Sequence, residues 1–135
     1  MSNPLPPHQA IPGSTRVAPF GTFRMRDAEP TASVEATLVL RRAGLGITMR
    51  GELAIPADPD DIAAIETFAS AHGLAVVANH PAARAMTLAG TVSQMNDAFH
   101  TDLGEYAHAN GTFRGREGDI HVPVDLAGIV VAVLG

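Results

Sequence analysis

At 135 residues and 14.0 kDa, with 46% apolar residues, the chain is long enough for one domain with a real core and too short for two. It holds no cysteine, which excludes a disulfide-stapled scaffold and a thiolate zinc site. A net charge of −5 argues against nonspecific binding to nucleic acid or to a membrane surface. No apolar run reaches the roughly 18 residues that a bilayer span requires.

The N-terminus, MSNPLPPHQAIPGS, is proline-rich and lacks the basic and apolar regions of a signal peptide. Residues 1–31 are therefore read as a proline-rich extension that builds neither ladder nor helix and lies extended over the surface. Phe20 and Phe23 are its candidates for a fixed apolar contact. The domain proper is read as 32–135.

Val34 to Arg42 alternates as a strand. Val34, Ala36, Leu38 and Leu40 share the face expected to meet helices, and Glu35, Thr37, Val39 and Arg41 share the other. Residues 43–57 are weakly patterned and read as loop with a short strand or turn. A helix is predicted over 59–72. Asp58 is its N-cap, Pro59 its first residue, Asp60 and Asp61 its dipole complement, Ile62, Ile65, Phe68 and Ala69 its buried stripe, and Gly73 its stop. The three acids are a helix start and not a metal site, because their spacing is not that of a calcium loop.

Leu74 to Ala78 reads as a strand, and residues 79–82 turn the chain into a further strand over 84–89 that Gly90 ends. Thr91 and Gln94 form a capping-box pattern, followed by Val92, Met95, Ala98 and Phe99 at helical spacing over 92–101. Asn110-Gly111 between 105–109 and 112–114 is a hairpin signal. Ile120 and Val122 suggest a short strand ended by Pro123, which begins a turn or short helix. IVVAVL, 129–134, fits a strand or the end of a buried helix, and its length does not decide.

The order strand, helix, strand, strand, helix, hairpin implies an α+β, ferredoxin-like (split βαβ) plan, an antiparallel sheet with two helices on one face and the other face open. Ile62, Ile65, Phe68, Met95 and Phe99 should then be buried against Leu38, Leu40, Met86 and Leu88. Six histidines invite a metal or catalytic reading, but none stands in metal-binding spacing, and the serines lack a neighbouring base. From residue chemistry alone no function emerges.

The pieces PGSTR (Pro12–Arg16), LRR (Leu40–Arg42), DIAAIETFASAHGL (Asp61–Leu74), GTVSQMNDAF (Gly90–Phe99) and FRGREGDIHVPVDLAGIVVAVLG (Phe113–Gly135) together resemble the activation domain of sedolisins, the kumamolisin-type serine-carboxyl peptidases. They follow the family's order and cover more than half the chain. Between Arg42 and Asp58 the chain departs from the pattern: GITMRGELAIPA stands where relatives carry a longer, partly helical segment.

The resemblance implies a pro-domain akin to subtilisin propeptides, which helps its protease fold, blocks the cleft and is released by acid. It implies an extracellular setting, a cognate sedolisin-type catalytic domain as partner, a monomer when isolated, and no nucleic-acid or membrane partner. It also implies no catalytic residue, metal or cofactor in this chain, with calcium expected only in a catalytic domain the chain lacks. Thr37, Val39, Val77 and Thr87 become the protease-docking face, Tyr106, Phe113 and Arg114 a secondary docking hairpin, and His108 and His121 pH-sensing candidates. A free-standing peptidase inhibitor shares this fold and surface. An RNA-binding plait would need paired aromatics and a basic sheet face.

Overall fold

The computed structural model describes residues 7–42 and 56–134. Its centre is a four-stranded antiparallel sheet of β3 (Ser33–Leu40), β4 (Ala75–His80), β5 (Ala85–Thr91) and β9 (Val130–Leu134), in spatial order β4-β5-β3-β9. Helices α1 (Pro59–Ala71) and α2 (Val92–Phe99) complete the β-α-β-β-α-β order of the ferredoxin-like plait. Leu38, Leu40, Met86 and Leu88 on the inner face close on Ile65, Phe68, Met95 and Phe99, all buried, and Ile62 is partly buried at the margin.

Local chemistry sets both helix starts. Asp58 accepts from the Asp60 amide at 2.8 Å. Thr91 Oγ1 accepts from the Gln94 amide at 3.2 Å while Gln94 Oε1 accepts from the Thr91 amide at 2.8 Å, a complete capping box. Asp61 does more than complement the dipole. It is buried, and the Arg41 guanidinium donates to both of its oxygens at 2.9 and 3.0 Å, tying the end of β3 to the first turn of α1.

Several expectations need correction. The proline-rich extension builds two strands, β1 (His8–Ala10) and β2 (Phe23–Asp27). Its prolines permit this because they stand outside the ladders: Pro7 and Pro12 bracket β1, and Pro19 and Pro30 bracket β2, so the paired residues keep their N–H groups. Phe20 and Phe23 are both exposed and make no buried anchor.

The hairpin of β6 (Gly104–His108) and β7 (Gly111–Gly115) does not join the plait. It pairs with β2 in a separate sheet of order β2-β6-β7. The fourth plait strand is instead the apolar run at 130–134, resolved as β9 by its pairing with β3. The hairpin register, His108 opposite Gly111, puts Ala109-Asn110 at the turn, one residue earlier than Asn110-Gly111. A third ladder pairs β1 with β8 (His121–Pro123), which runs into the short helix α3 (Val124–Ala127).

Strand β4 extends to His80, and a single 3₁₀ turn over Pro81–Ala83 replaces the turn expected at 79–82. Gly90 lies within β5 opposite Val34 and does not end it. Helix α2 stops at Phe99 because His100 takes the left-handed conformation, φ 49°. The segment 43–55, most of the departure from the family pattern, lies outside the described residues.

Candidate docking surface

The helices fill one face of the plait, and ladder register fixes what the other face presents, since directly opposed residues point the same way. Three rows cross it: Ala75–Ala89–Glu35, then Ala78–Thr87–Thr37–Leu134, then His80–Ala85–Val39–Ala132. All but a few of these side chains are small. The one ring in these rows is His80 at the β4 edge, with no phenylalanine, tyrosine or tryptophan, so the paired aromatics of an RNA-binding plait are missing from them. The Thr37 and Thr87 hydroxyls bond each other at 2.9 Å, which satisfies two polar groups in the centre of the face without water.

Of the four sequence-predicted docking residues, the structure brings Thr37, Val39 and Thr87 together in adjacent rows. Val77 differs. It is the extra residue of a β-bulge on the edge strand, skipped between the Val76 and Ala78 pairings, and it is 52% exposed. His80 stands on the face at its β4 edge, a placement hidden while 79–82 is read as a turn.

The second predicted patch divides. Tyr106 is buried, stacked on Phe113 at 5.6 Å, with its hydroxyl donating to Glu117 at 3.0 Å. Burial first, and then the bond to Glu117, push the Tyr106 phenol above its ordinary ionisation range. Tyr106 is therefore a structural residue unavailable for docking, whereas Phe113 and Arg114 are exposed.

The two predicted pH-sensing histidines are not brought together. His108 is exposed at the hairpin tip, where Nδ1 accepts from the Asn110 amide at 3.3 Å. His121 on β8 belongs to a different cluster. His8 and His100 stack with ring centroids 3.5 Å apart and 15° between planes, and His121 lies 6.2 Å from His100. His8 Nε2 and His121 Nδ1 are buried without a hydrogen-bond partner. Near-parallel stacked rings direct their in-plane lone pairs side by side rather than toward one point. Among the described residues no set of three His, Asp or Glu side chains is arranged to hold a metal ion. Sequence reading missed this cluster because its members come from 8, 100 and 121, which only the β1–β8 ladder and the end of α2 unite.

The pro-kumamolisin activation domain is the family whose model matches this chain, over residues 53–135. The chain belongs to that family. Kumamolisin from Bacillus sp. (strain MN-32) is 41% identical to it over 76 residues, which is 56% of this chain and 14% of that protein. The chain thus corresponds to a small fraction of the curated relative's length. The pro-kumamolisin match takes in α1, β4, β5, α2, the hairpin, β8 and β9, so most of the plait and the whole capping-box junction are family features. Among the described residues no helix of this pro-kumamolisin domain is long and apolar enough to cross a membrane.

Proposed function

We propose that this chain acts as the pro-domain of a sedolisin-type serine endopeptidase, assisting the folding of the catalytic domain, occupying its cleft and letting go in acid. Family membership supports the assignment to a zymogen, and the open plait face is the observation that carries the docking. Small side chains in three straight rows allow helices of a partner to approach closely, and at the centre the two threonine hydroxyls bond each other. A standard contact buries about 800 Å² per partner. The catalytic residues and the bound calcium belong, on this reading, to the peptidase domain, and the setting is extracellular.

The test is inhibition of the cognate catalytic domain by the separately produced chain. Val39 lies in the third row between Ala85 and Ala132, so Val39→Asp places a carboxylate in the contact while leaving the helix-facing core untouched. Inhibition should weaken at least tenfold, the loss expected from an unpaired charge buried at an interface. Unchanged inhibition by a folded Val39→Asp variant sends the docking elsewhere. Faster recovery of denatured catalytic domain with the chain present than without it tests the chaperone role, and a free-standing inhibitor would give no such acceleration.

A further inference from the structure

Where β9 ends beside β3, a cavity of about 220 Å³ opens between α2, the hairpin and these two strands. Its floor is apolar, with Met95, Phe99, Ile120 and Val133 prominent. Three arginines, Arg16, Arg114 and Arg116, belong to its lining. All nine cationic side chains of the sequence are arginine. Among the described residues Arg24, Arg26 and Arg41 are committed to carboxylates, whereas Arg16, Arg114 and Arg116 have none at ion-pair distance. In a chain of net charge −5, three arginines without a carboxylate at ion-pair distance line one cavity.

Arg116 is the least expected of the three, because only 9% of it is exposed. Its guanidinium donates to the carbonyls of Gly118 at 2.7 Å and Ser14 at 2.9 Å, and other N–H donors remain. Burial first, then repulsion from Arg16, lower its pKa, against a smaller opposing effect of Asp119. Asp119 itself accepts from the Thr15 hydroxyl. A buried cation beside a second cation is a standing electrostatic demand for an anion. Glu35, at the β3 end of the first docking row, also lines the cavity, and among the described residues no ion pair joins it to these arginines.

We propose that this cavity binds the C-terminus of a peptide ending in an apolar residue, with the terminal carboxylate at Arg114, Arg16 and Arg116 and the last side chain on the Met95–Phe99 floor. A C-terminal residue puts a carboxylate, an amide N–H and an apolar side chain on one Cα, which matches the three kinds of group that line the cavity. Guanidinium donors suit a carboxylate because their planar fork bonds both oxygens. A free aliphatic acid offers the charge and the tail but no N–H for Glu35. The site touches the docking rows only at their ends, through Glu35 and Leu134, and its arginines stand outside them.

The experiment titrates the full chain with N-acetyl-alanyl-leucine, its C-terminal amide, and octanoate, following the Met95 methyl and arginine Nε–H signals by NMR. The peptide acid should bind at least tenfold more tightly than the amide, since amidation removes the charge that the guanidinium donors meet, and also more tightly than octanoate. Arg16→Gln/Arg114→Gln alters exposed side chains only and should weaken the acid at least tenfold with the amide spectrum otherwise unchanged. Arg116 is left intact because its guanidinium holds two backbone carbonyls. Equal affinity for acid and amide overturns the proposal, as does octanoate matching the peptide acid. Absence of any saturable shift with the peptide acid overturns it too, and these three outcomes are read on the unmodified chain.

Discussion

The His8 imidazole lies flat on the His100 imidazole, 3.5 Å between centroids, and so joins the first described strand to the left-handed residue that ends α2. Protonating either ring would set a cation against the other. Burial of its ring is the first cause of a lowered His100 pKa, followed by His8, His121 and His72, with Asp97 the one opposing charge named against it. Asp125, the charge carried by α3 on the far side of β1 and β8, is exposed.

The sign follows from linkage. A histidine whose folded pKa is depressed binds fewer protons folded than unfolded, so its contribution is complete above the unfolded value of about 6.5 and is lost as pH falls below it. The thermal unfolding midpoint of the wild type should therefore fall from pH 7.5 towards 5. His100→Asn keeps a residue that tolerates positive φ and removes the stack, so it should flatten that dependence. A His100→Asn profile with the wild-type slope would assign the acid sensitivity to other groups.

Phe99 is 3% exposed and meets Phe68 edge to face at 5.4 Å. Phe99→Ala should cost about 3–5 kcal/mol through lost burial and the cavity left behind. Urea unfolding measures it directly. A loss under about 1 kcal/mol would mean the surrounding side chains had closed the space.

Gly90 matters for a different reason. A Cβ there would come within 2.4 Å of Leu74 Cδ2 and 2.8 Å of Gln94 Oε1, the oxygen that accepts from the Thr91 amide. Gly90→Ala should therefore both crowd Leu74 and displace half of the capping box, costing about 1–3 kcal/mol. Gly90→Ala/Gln94→Ala, which removes the polar clash, should recover less than the whole loss, because Leu74 stays crowded. A neutral Gly90→Ala would show that both neighbours move aside freely.

Tyr106 is the only tyrosine and the chain has no tryptophan, so its titration can be read optically without interference. With the phenol buried and bonded to Glu117, tyrosinate absorbance should rise only above the ordinary pKa of about 10. Because the folded state holds this proton more tightly, the stability it contributes declines as pH rises past the unfolded value. Glu117→Gln should bring the transition down towards normal. Tyrosinate appearing at an ordinary pH in the folded wild type would contradict the buried placement.

Much of the fold was legible because local chemistry and tertiary packing agree. Asp58, Thr91 and Gln94 mark helix starts by groups they satisfy themselves, and the alternation of Val34 to Leu40 and of Met86 with Leu88 sorts inner from outer face correctly. What failed were the placements that pairing decides. Proline content argued against ladders in 8–10 and 23–27, yet the prolines flank those strands and do not interrupt them. IVVAVL is strand because β3 offers an open edge, a fact no window of six residues contains. Val77 lost its alternation to a bulge, and Tyr106 was drawn inward by Phe113 and Glu117. The arginine-lined cavity was invisible for the same reason, since Arg16 and Arg114 reach one cavity only through the bridge of Arg16 to Gly118 and the placing of strand β7.

Strand β3 ends before residue 53, where similarity to the activation-domain family begins, yet it occupies a central position with β5 on one side and β9 on the other. A fragment cut to the matched region would keep both helices and both neighbours while removing the strand that hydrogen-bonds them to each other. Two ladders would open at once, and the inner face would lose Leu38 and Leu40 from beneath the helices. Boundaries for expression, for deletion scanning or for fusion to a reporter therefore belong upstream of Ser33, however far downstream the recognisable sequence starts.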